Sequence, residues 1–454
     1  MTNYLSKRTK LMYGVGDLGF SLTLTIIAIY FAIFLTDIVG ISPGIVAAAI
    51  FIGRSWDYIN DPLIGYISDR TRSKWGRRRP FLLFGAIPFG IVFILLWWKP
   101  PWTNEVALAV YYAAAYVLFD TVATFAYMPY FALTPELTTN YDERTSLTTY
   151  RMFFTFVGGL VAFTIPLVII GAFVPESAAR ILTMGIIFGV VSMLPLLLVF
   201  AGTREQPEHM EMEQTTLRQS LRAASKNRPF LFGLGIFLLT WVSIDILQTS
   251  LLYFFKYVIH RQDQSDIFMA VIFITAICTL PLWSWISRRW SKRHAYMVGI
   301  AFWAAVQLVL ITLSATTGIA LIITMCFLAG IGVGAAHVLP WAILPDAVEW
   351  DEWQTGERHE GIFYSLVILI KKVASSIAIP LMLLILEFTG YVPNATQQPP
   401  NALLGIRLVI GPIPAILLIS GIYLAYRYPL TRERYAQICR ELEIRRKAKT
   451  QEAL

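Results

Sequence analysis

The chain has 454 residues, of which 56% are hydrophobic, 14% aromatic and only 15% charged, against about 25% charged in a soluble domain. With a mean hydropathy of +0.61, it lacks the polar sequence needed to cover the two or three cores that a soluble chain of this length requires. Disorder is excluded by hydrophobicity. A disulfide scaffold, zinc site or redox site is disfavoured because Cys278, Cys326 and Cys439 are few, scattered and without CxxC spacing. The net charge of +8 falls in short loops between apolar runs, where it reads as a topology signal and not as a nucleic-acid surface.

Lys7, Arg8 and Lys10 precede an apolar stretch that runs to Thr36. That is too long for a cleavable signal and predicts a retained first span. Further apolar runs lie at 43–67, 80–98, 104–134, 148–171, 179–201, 229–258, 265–287, 295–316, 317–345, 360–387 and 403–427. Each approaches or exceeds the roughly 20 residues of a membrane-crossing helix. Helices satisfy every backbone group within the segment, and stretches such as Val161–Ile170 do not alternate as barrel strands do. The expectation is an all-α integral membrane protein of twelve transmembrane helices in two six-helix bundles, 1–201 and 229–454. The segment 202–228 would be a cytoplasmic loop in which Leu217 and Leu221, one turn apart, fit either a short amphipathic helix or a solvated linker.

The connection at 68–79 carries Arg70, Arg72, Lys74, Arg77, Arg78 and Arg79, and its counterpart at 287–294 carries Arg288, Arg289, Lys292 and Arg293. This spacing is that of a parallel two-fold repeat, as in six-plus-six transporters. The positive-inside rule puts both termini in the cytoplasm of a plasma membrane, read as a bacterial inner membrane. An acidic connection on the same side holds Glu349, Asp351, Glu352, Glu357 and Glu360. It reads as a partner for basic loops or as a solvated face.

Ionisable residues within spans carry the most information, because a charge at the bilayer centre costs about 2.5–3.5 kcal/mol on insertion scales. Asp57 and Asp61 are four apart and share one helix face with Arg54, and Asn60 adds a neutral oxygen nearby. Two carboxylates with amide or hydroxyl oxygens suit Na⁺ or Li⁺. The same pair could hold a proton, since burial and like charge raise carboxylate pKa values. The plainer alternative is a set of ion pairs with Arg54, Arg151 or Lys372 that only locks helices. Asp17, Asp120, Arg151, Asp245, Gln248, Lys371 and Lys372 also fall in or near spans. His337 reads as a hydrogen-bonded core residue. Gly65-x-x-x-Asp69-Arg70 and the basic run around Arg77 form a candidate ion-pair latch, or a topology signal alone.

The chain resembles the glycoside–pentoside–hexuronide cation symporters of the major facilitator superfamily. The resemblance rests on Tyr13-Gly14-Val15-Gly16, Thr36-Asp37-Ile38-Val39-Gly40, Arg54 to Pro62, and Thr71-Arg72-Ser73-Lys74-Trp75-Gly76. It continues in Tyr257-Val258-Ile259 and Gly390-Tyr391-Val392-Pro393-Asn394. It implies a cation site at Asp57, Asn60, Asp61 and Thr124, the span 11 lysine at Lys372, and an arginine near the solute at Arg151. The span 1 and span 4 aspartates that grip galactosyl hydroxyls in that family align with Ser21 and Tyr127, so a galactoside is disfavoured. Asp17 and Asp120 lie near enough along the same spans to substitute, and Asp245 and Gln248 occupy polar span 7 positions.

The expected function is cation-coupled (Na⁺, Li⁺ or H⁺) symport of a sugar or glycoside by alternating access, with Arg54, Asp69, Arg70 and Arg77 as gating or ion-pair residues. No cofactor beyond the coupling cation is expected, and the protein is expected to be a monomer. The rivals are an uncoupled facilitator or carrier of a lipid-like solute, a solute-binding sensor, and a membrane enzyme. The chain has no HExxH or GxSxG to support the last.

Overall fold

The computed structural model describes residues 5–138, 141–205, 224–225, 227–356 and 360–452. The amphipathic helix expected around Leu217 and Leu221 lies outside the described residues, as does Glu357. Among the described residues there are no strands, and eleven helices are long and apolar enough to cross a membrane.

The twelfth span is the second. It consists of Pro43–Ser55 and Asp57–Arg70, joined at Trp56. Trp56 keeps helical dihedrals (φ −60°, ψ −32°), so one apolar run becomes two short helices in line. The other eleven are Lys7–Val39, Arg79–Trp97, Glu105–Leu137, Tyr141–Ile170, Ala178–Gly202, Arg228–Val258, Ser265–Arg289, Lys292–Leu310, Ile319–Thr355, Glu360–Phe388 and Pro400–Tyr426. Span 9 stops at Leu310, short of the expected 316, because Ser314 to Gly318 is turn-forming sequence. Span 10 runs ten residues past 345 and ends at Gly356, whose φ of 76° caps the helix in the left-handed region. Glu349, Asp351 and Glu352 therefore lie on a helix and not in a loop.

Two compact units are present. One comprises Met1–Met212, Gln248–Ala270 and Ser376–Ile406; the other comprises Glu213–Leu247, Val271–Ser375 and Arg407–Leu454. In the first, spans 3 and 6 meet backbone to backbone. A Cβ on Gly90 would lie 2.6 Å from the Gly189 carbonyl oxygen, and one on Gly189 would lie 2.8 Å from that of Gly90. Small residues permit such contact between membrane helices. Aromatic rings fill the neighbouring space, with Phe31 and Phe34 against Trp97 and Tyr112. In the second unit Phe230, Phe237, Leu344, Val348 and Phe363 form a buried cluster.

The repeat is visible in local geometry. Span 1 ends in a π-helical turn at Phe34–Val39, and span 7 ends in another at Phe254–Val258. Gly40 (φ 90°), directly after the first turn, and His260 (φ 56°), two residues after the second, both take left-handed backbone. The segments Phe34-Leu35-Thr36-Asp37-Ile38-Val39-Gly40 and Phe254-Phe255-Lys256-Tyr257-Val258-Ile259-His260 therefore occupy equivalent places.

A final helix, Arg432–Glu452, follows span 12. It docks on the extended end of span 10. Trp353 Nε1 donates to Glu441 (2.6 Å), Arg445 donates to the Trp353 carbonyl (2.9 Å), and the Cys439 thiol donates to Glu349 (3.1 Å). Burial, then the Glu349 carboxylate, pushes the Cys439 thiol up to about 11. Its thiolate fraction at pH 8 is on the order of 200-fold below that of an ordinary cysteine with pKa about 8.5. In a Cys278→Ser, Cys326→Ser background, Cys439 should alkylate slowly at pH 8. Trp353→Ala should raise that rate at least ~10-fold by releasing the helix. Equal rates in the two proteins would show that the dock does not hold.

Candidate cation and solute site

The lower half of span 2 starts at Asp57, so Asp57, Asn60 and Asp61 fill its first turn and a half. Span 4 positions them. Gly53 lies against Tyr116 so closely that an added Cβ would sit 2.6 Å from the ring. Trp56 Nε1 donates to Thr121 (2.9 Å), and Thr124 donates its hydroxyl to Asp61 Oδ1 (3.3 Å). Asn60 is 1% exposed. Its Nδ2 donates to the Asp120 carbonyl (3.2 Å) and carboxylate (3.4 Å). The amide nitrogen is thereby committed to span 4, and Oδ1 is left as the acceptor end. Asp57, one turn above Asp61, lies with Arg54 and Asp120 within electrostatic reach of buried Tyr116.

Pro62 has no N–H, so the Tyr58 carbonyl in the same turn loses its helical partner. The Tyr58 hydroxyl bonds Ser376 of span 11. Among the described residues no group of three or more His, Cys, Asp or Glu could hold a metal. Spans 2 and 4 place the Thr124 hydroxyl on the Asp61 carboxylate and the Asn60 amide on Asp120, oxygen donors of the hard kind.

The residues assigned to the solute are placed differently. Asp17 is buried and ion-paired with Arg151 (Nε to Oδ2, 2.6 Å), whose guanidinium lies 4.0 Å above Phe131. The Ser21 hydroxyl is spent on the Thr155 carbonyl (2.7 Å). Tyr127 packs edge-on between Phe20 (4.5 Å) and Phe131 (4.0 Å). Asp120, expected at the solute, stands behind Asn60 instead.

In the second unit Asp245 accepts the Ser375 hydroxyl. Lys371 sits 3.5 Å above Trp241, which also meets the His337 ring at 5.3 Å. His337 Nδ1 bonds the Val333 carbonyl (2.9 Å), as a core histidine does. Gln248 and Lys372 are half-buried. The sequence reading missed Lys371 as an aromatic-bound cation, although Trp241 and Asp245 at i and i+4 share a face.

The ion pairs around Asp69 have a membership different from the expected one. Arg78 bonds Asp69, Ser68 (2.5 Å) and Glu136 (3.1 Å), and Arg77 also reaches Glu136 (2.5 Å). Glu205 accepts the backbone N–H groups of Arg77, Arg78 and Arg79 at 2.5, 2.7 and 2.9 Å. Arg70 is excluded. It is exposed and stacks on Tyr66 (3.8 Å), because neighbours on a helix diverge by about 100° and Asp69 already faces inward. In the second unit Lys292 pairs with Asp346. Each acid follows a proline, in Pro135-Glu136 and Pro345-Asp346, a repeat signal the sequence reading did not use. Lys10 also pairs with Glu143 (2.8 Å), joining the start of span 1 to the start of span 5.

Three quoted motifs converge on Asp37, which has no solvent exposure. It accepts from Lys256, Tyr391, Tyr257 (2.6 Å) and Thr36 (2.9 Å). Lys256 also donates to Asn394 Oδ1 (2.8 Å) and the Phe173 carbonyl (2.5 Å). The ends of spans 1 and 7 and the loop after span 11 are tied at one carboxylate.

A helical membrane chain with repeated ends and paired intramembrane charges has the architecture of a major facilitator transporter. Residues 12–432 match the family described as MFS/sugar transport protein, and the chain belongs to that family. It is 31% identical to an uncharacterized symporter, sll1374, of Synechocystis, over 96% of each chain. It is 30% identical to the uncharacterized symporter YnaJ of Bacillus subtilis, covering 98% of this chain and 96% of that one. It is 27% identical to the sodium-dependent lysophosphatidylcholine symporter 1-A of Danio rerio, over 96% and 88%. The fold is shared with a D-xylose-proton symporter (TM-score 0.65, 17% identity, 93% and 97% covered). The nucleoside transporter NupG has the same fold (TM-score 0.60, 12% identity, 93% and 98% covered). The protein is a multi-pass membrane symporter of the major facilitator type.

Two outcomes test this geometry. Asp37→Asn leaves Lys256 facing an uncharged partner and should destabilise the protein by about 3–5 kcal/mol, with Asp37→Asn plus Lys256→Gln recovering part of the loss in thermal melts. No change in the single variant would mean the pair is not structural. Gly53→Ala should push span 2 off span 4 and weaken cation binding at least ~10-fold while keeping every ligand, as read by cation-dependent tryptophan fluorescence. An unchanged affinity would separate the site from span 4.

Proposed function

We propose that the protein is a cation-coupled symporter that works by alternating access, with Na⁺ bound by Asp57, Asn60, Asp61 and Thr124. The observation that carries this is the Thr124–Asp61 contact, with Asn60 turned by Asp120 so that its oxygen stays available. The names of the sodium-dependent relatives favour Na⁺ over Li⁺ or H⁺. Residues 1–201 and 229–454 act as two six-helix bundles, with both termini cytoplasmic. Cation binding neutralises the two carboxylates and raises solute affinity, a coupling that is reciprocal by linkage. An inward-negative potential adds about 2.3 kcal/mol per charge per 100 mV. The Asp37 network closes the far ends of spans 1 and 7 and must break on opening. The Asp69–Arg78–Glu136 cluster braces the connection between spans 2 and 3.

The solute is a sugar or glycoside in the first reading, in keeping with the family description. A second reading is an amphiphile such as a lysophospholipid. It is favoured by the ion-paired Asp17, by Ser21 and Tyr127 where a galactoside carrier would place carboxylates, by the Phe20 and Phe131 rings packed on Tyr127, and by the lysophosphatidylcholine symporters among the relatives.

The deciding experiment measures tryptophan fluorescence and melting temperature in Na⁺, Li⁺ or choline across about pH 5.5–8, where a raised carboxylate would titrate. Sugars and lysophosphatidylcholine are then added in the effective cation. A saturable Na⁺ effect, lost in Asp61→Asn, is expected. A pH effect alone, lost in the same variant, would assign a proton. Normal uptake by both Asp57→Cys and Asp61→Cys would overturn the cation site.

A further inference from the structure

A cavity of about 460 Å³ lies within the second unit, away from every residue assigned above to cation or solute. It opens among the connection between spans 8 and 9, the end of span 12 and the start of the final helix. That volume falls in the range of small-molecule sites. Its walls carry Arg288, Lys292, Arg293 and Arg432 against only two carboxylates, Asp346 and Glu433.

Two donors in it are unused. Tyr428 is 5% exposed, and its buried hydroxyl has no hydrogen-bond partner; the Arg293 Nε has none either. A buried hydroxyl without a partner costs roughly 1–3 kcal/mol, so a polar ligand there would relieve a standing penalty. Three guanidinium groups match the oxygens of a tetrahedral oxyanion better than a point charge does. Trp290 lines the site and is more than half exposed, the placement of a side chain at a membrane–water interface.

We propose that this cavity is a binding site for a phosphate-bearing anion, either the headgroup of an anionic phospholipid or a soluble phosphate ester. Basic pockets beside membrane helices recognise such groups. The site has a built-in consequence. Lys292 is held by Asp346, so a phosphate oxygen seated beside it competes with Asp346 and loosens the tie between spans 9 and 10.

The test uses the full chain in phosphatidylcholine nanodiscs and reads melting temperature against glycerol 3-phosphate, with sodium chloride matched for ionic strength. A second arm replaces part of the phosphatidylcholine with phosphatidylglycerol. A saturable rise with the soluble ester, or a rise with the lipid alone, supports the site and identifies the source. Tyr428→Phe removes a buried hydroxyl bonded to nothing, so melting without ligand should hold or rise while half-saturation weakens about 2- to 10-fold. Arg288→Gln should weaken it at least ~10-fold. Arg427→Gln, outside the cavity, should bind as the native protein does. No saturable rise in either arm would overturn the proposal. So would native half-saturation in both Tyr428→Phe and Arg288→Gln, or a loss in Arg427→Gln as large as that in Arg288→Gln.

Discussion

Asp37 is a carboxylate with no access to water in a chain whose surroundings offer no other solvent for charge. A buried ion persists only when paired and hydrogen-bonded, and its partners come from remote sequence: Lys256, Tyr257 and Tyr391. That need brings the ends of spans 1 and 7 together with the loop after span 11. The same constraint recurs wherever charge enters an apolar run. Asp17 draws in Arg151, and Glu136 draws in Arg77 and Arg78. Apolar length makes the helices, but lipid-soluble helices have little preference for one another. The pairs of buried charge supply that preference.

Helix number and most boundaries were legible because hydrophobic length is read directly from composition. Span 2 was legible as an apolar run although neither of its helices is long enough alone. Asp57 and Asp61 stood out as candidates because two carboxylates four apart in a span are costly unless paired or used. The roles of Asp120 and Asp17 were not. Spacing gives the face of one helix but not which neighbour it meets, and each of these carboxylates is satisfied by a residue on another span. Arg78 was hidden for a related reason. Six basic residues in one connection look alike in sequence, and only the fold distinguishes Arg78, which reaches Asp69, from Arg70, which stacks on Tyr66.

Internal satisfaction of charge also bears on selectivity. A carboxylate already bonded to Arg151 has little affinity to spare for a hydroxyl, and a hydroxyl spent on the Thr155 carbonyl has no proton to offer. Beside them Phe20, Tyr127 and Phe131 offer ring surface. Ring faces suit apolar and cationic groups, which they hold without demanding a fixed hydrogen-bond geometry.

The bond between Tyr58 and Ser376 joins two positions that share a weakness. Each lies four residues before a proline, Pro62 in span 2 and Pro380 in span 11. Each therefore has a main-chain carbonyl released from its helix, at the turn where bending is easiest. The side chains couple these two soft turns hydroxyl to hydroxyl, so they work as a pair of hinges on one crossbar. A rotation of the turn that bears Asp57 and Asp61 would therefore reach span 11 at its own point of least stiffness.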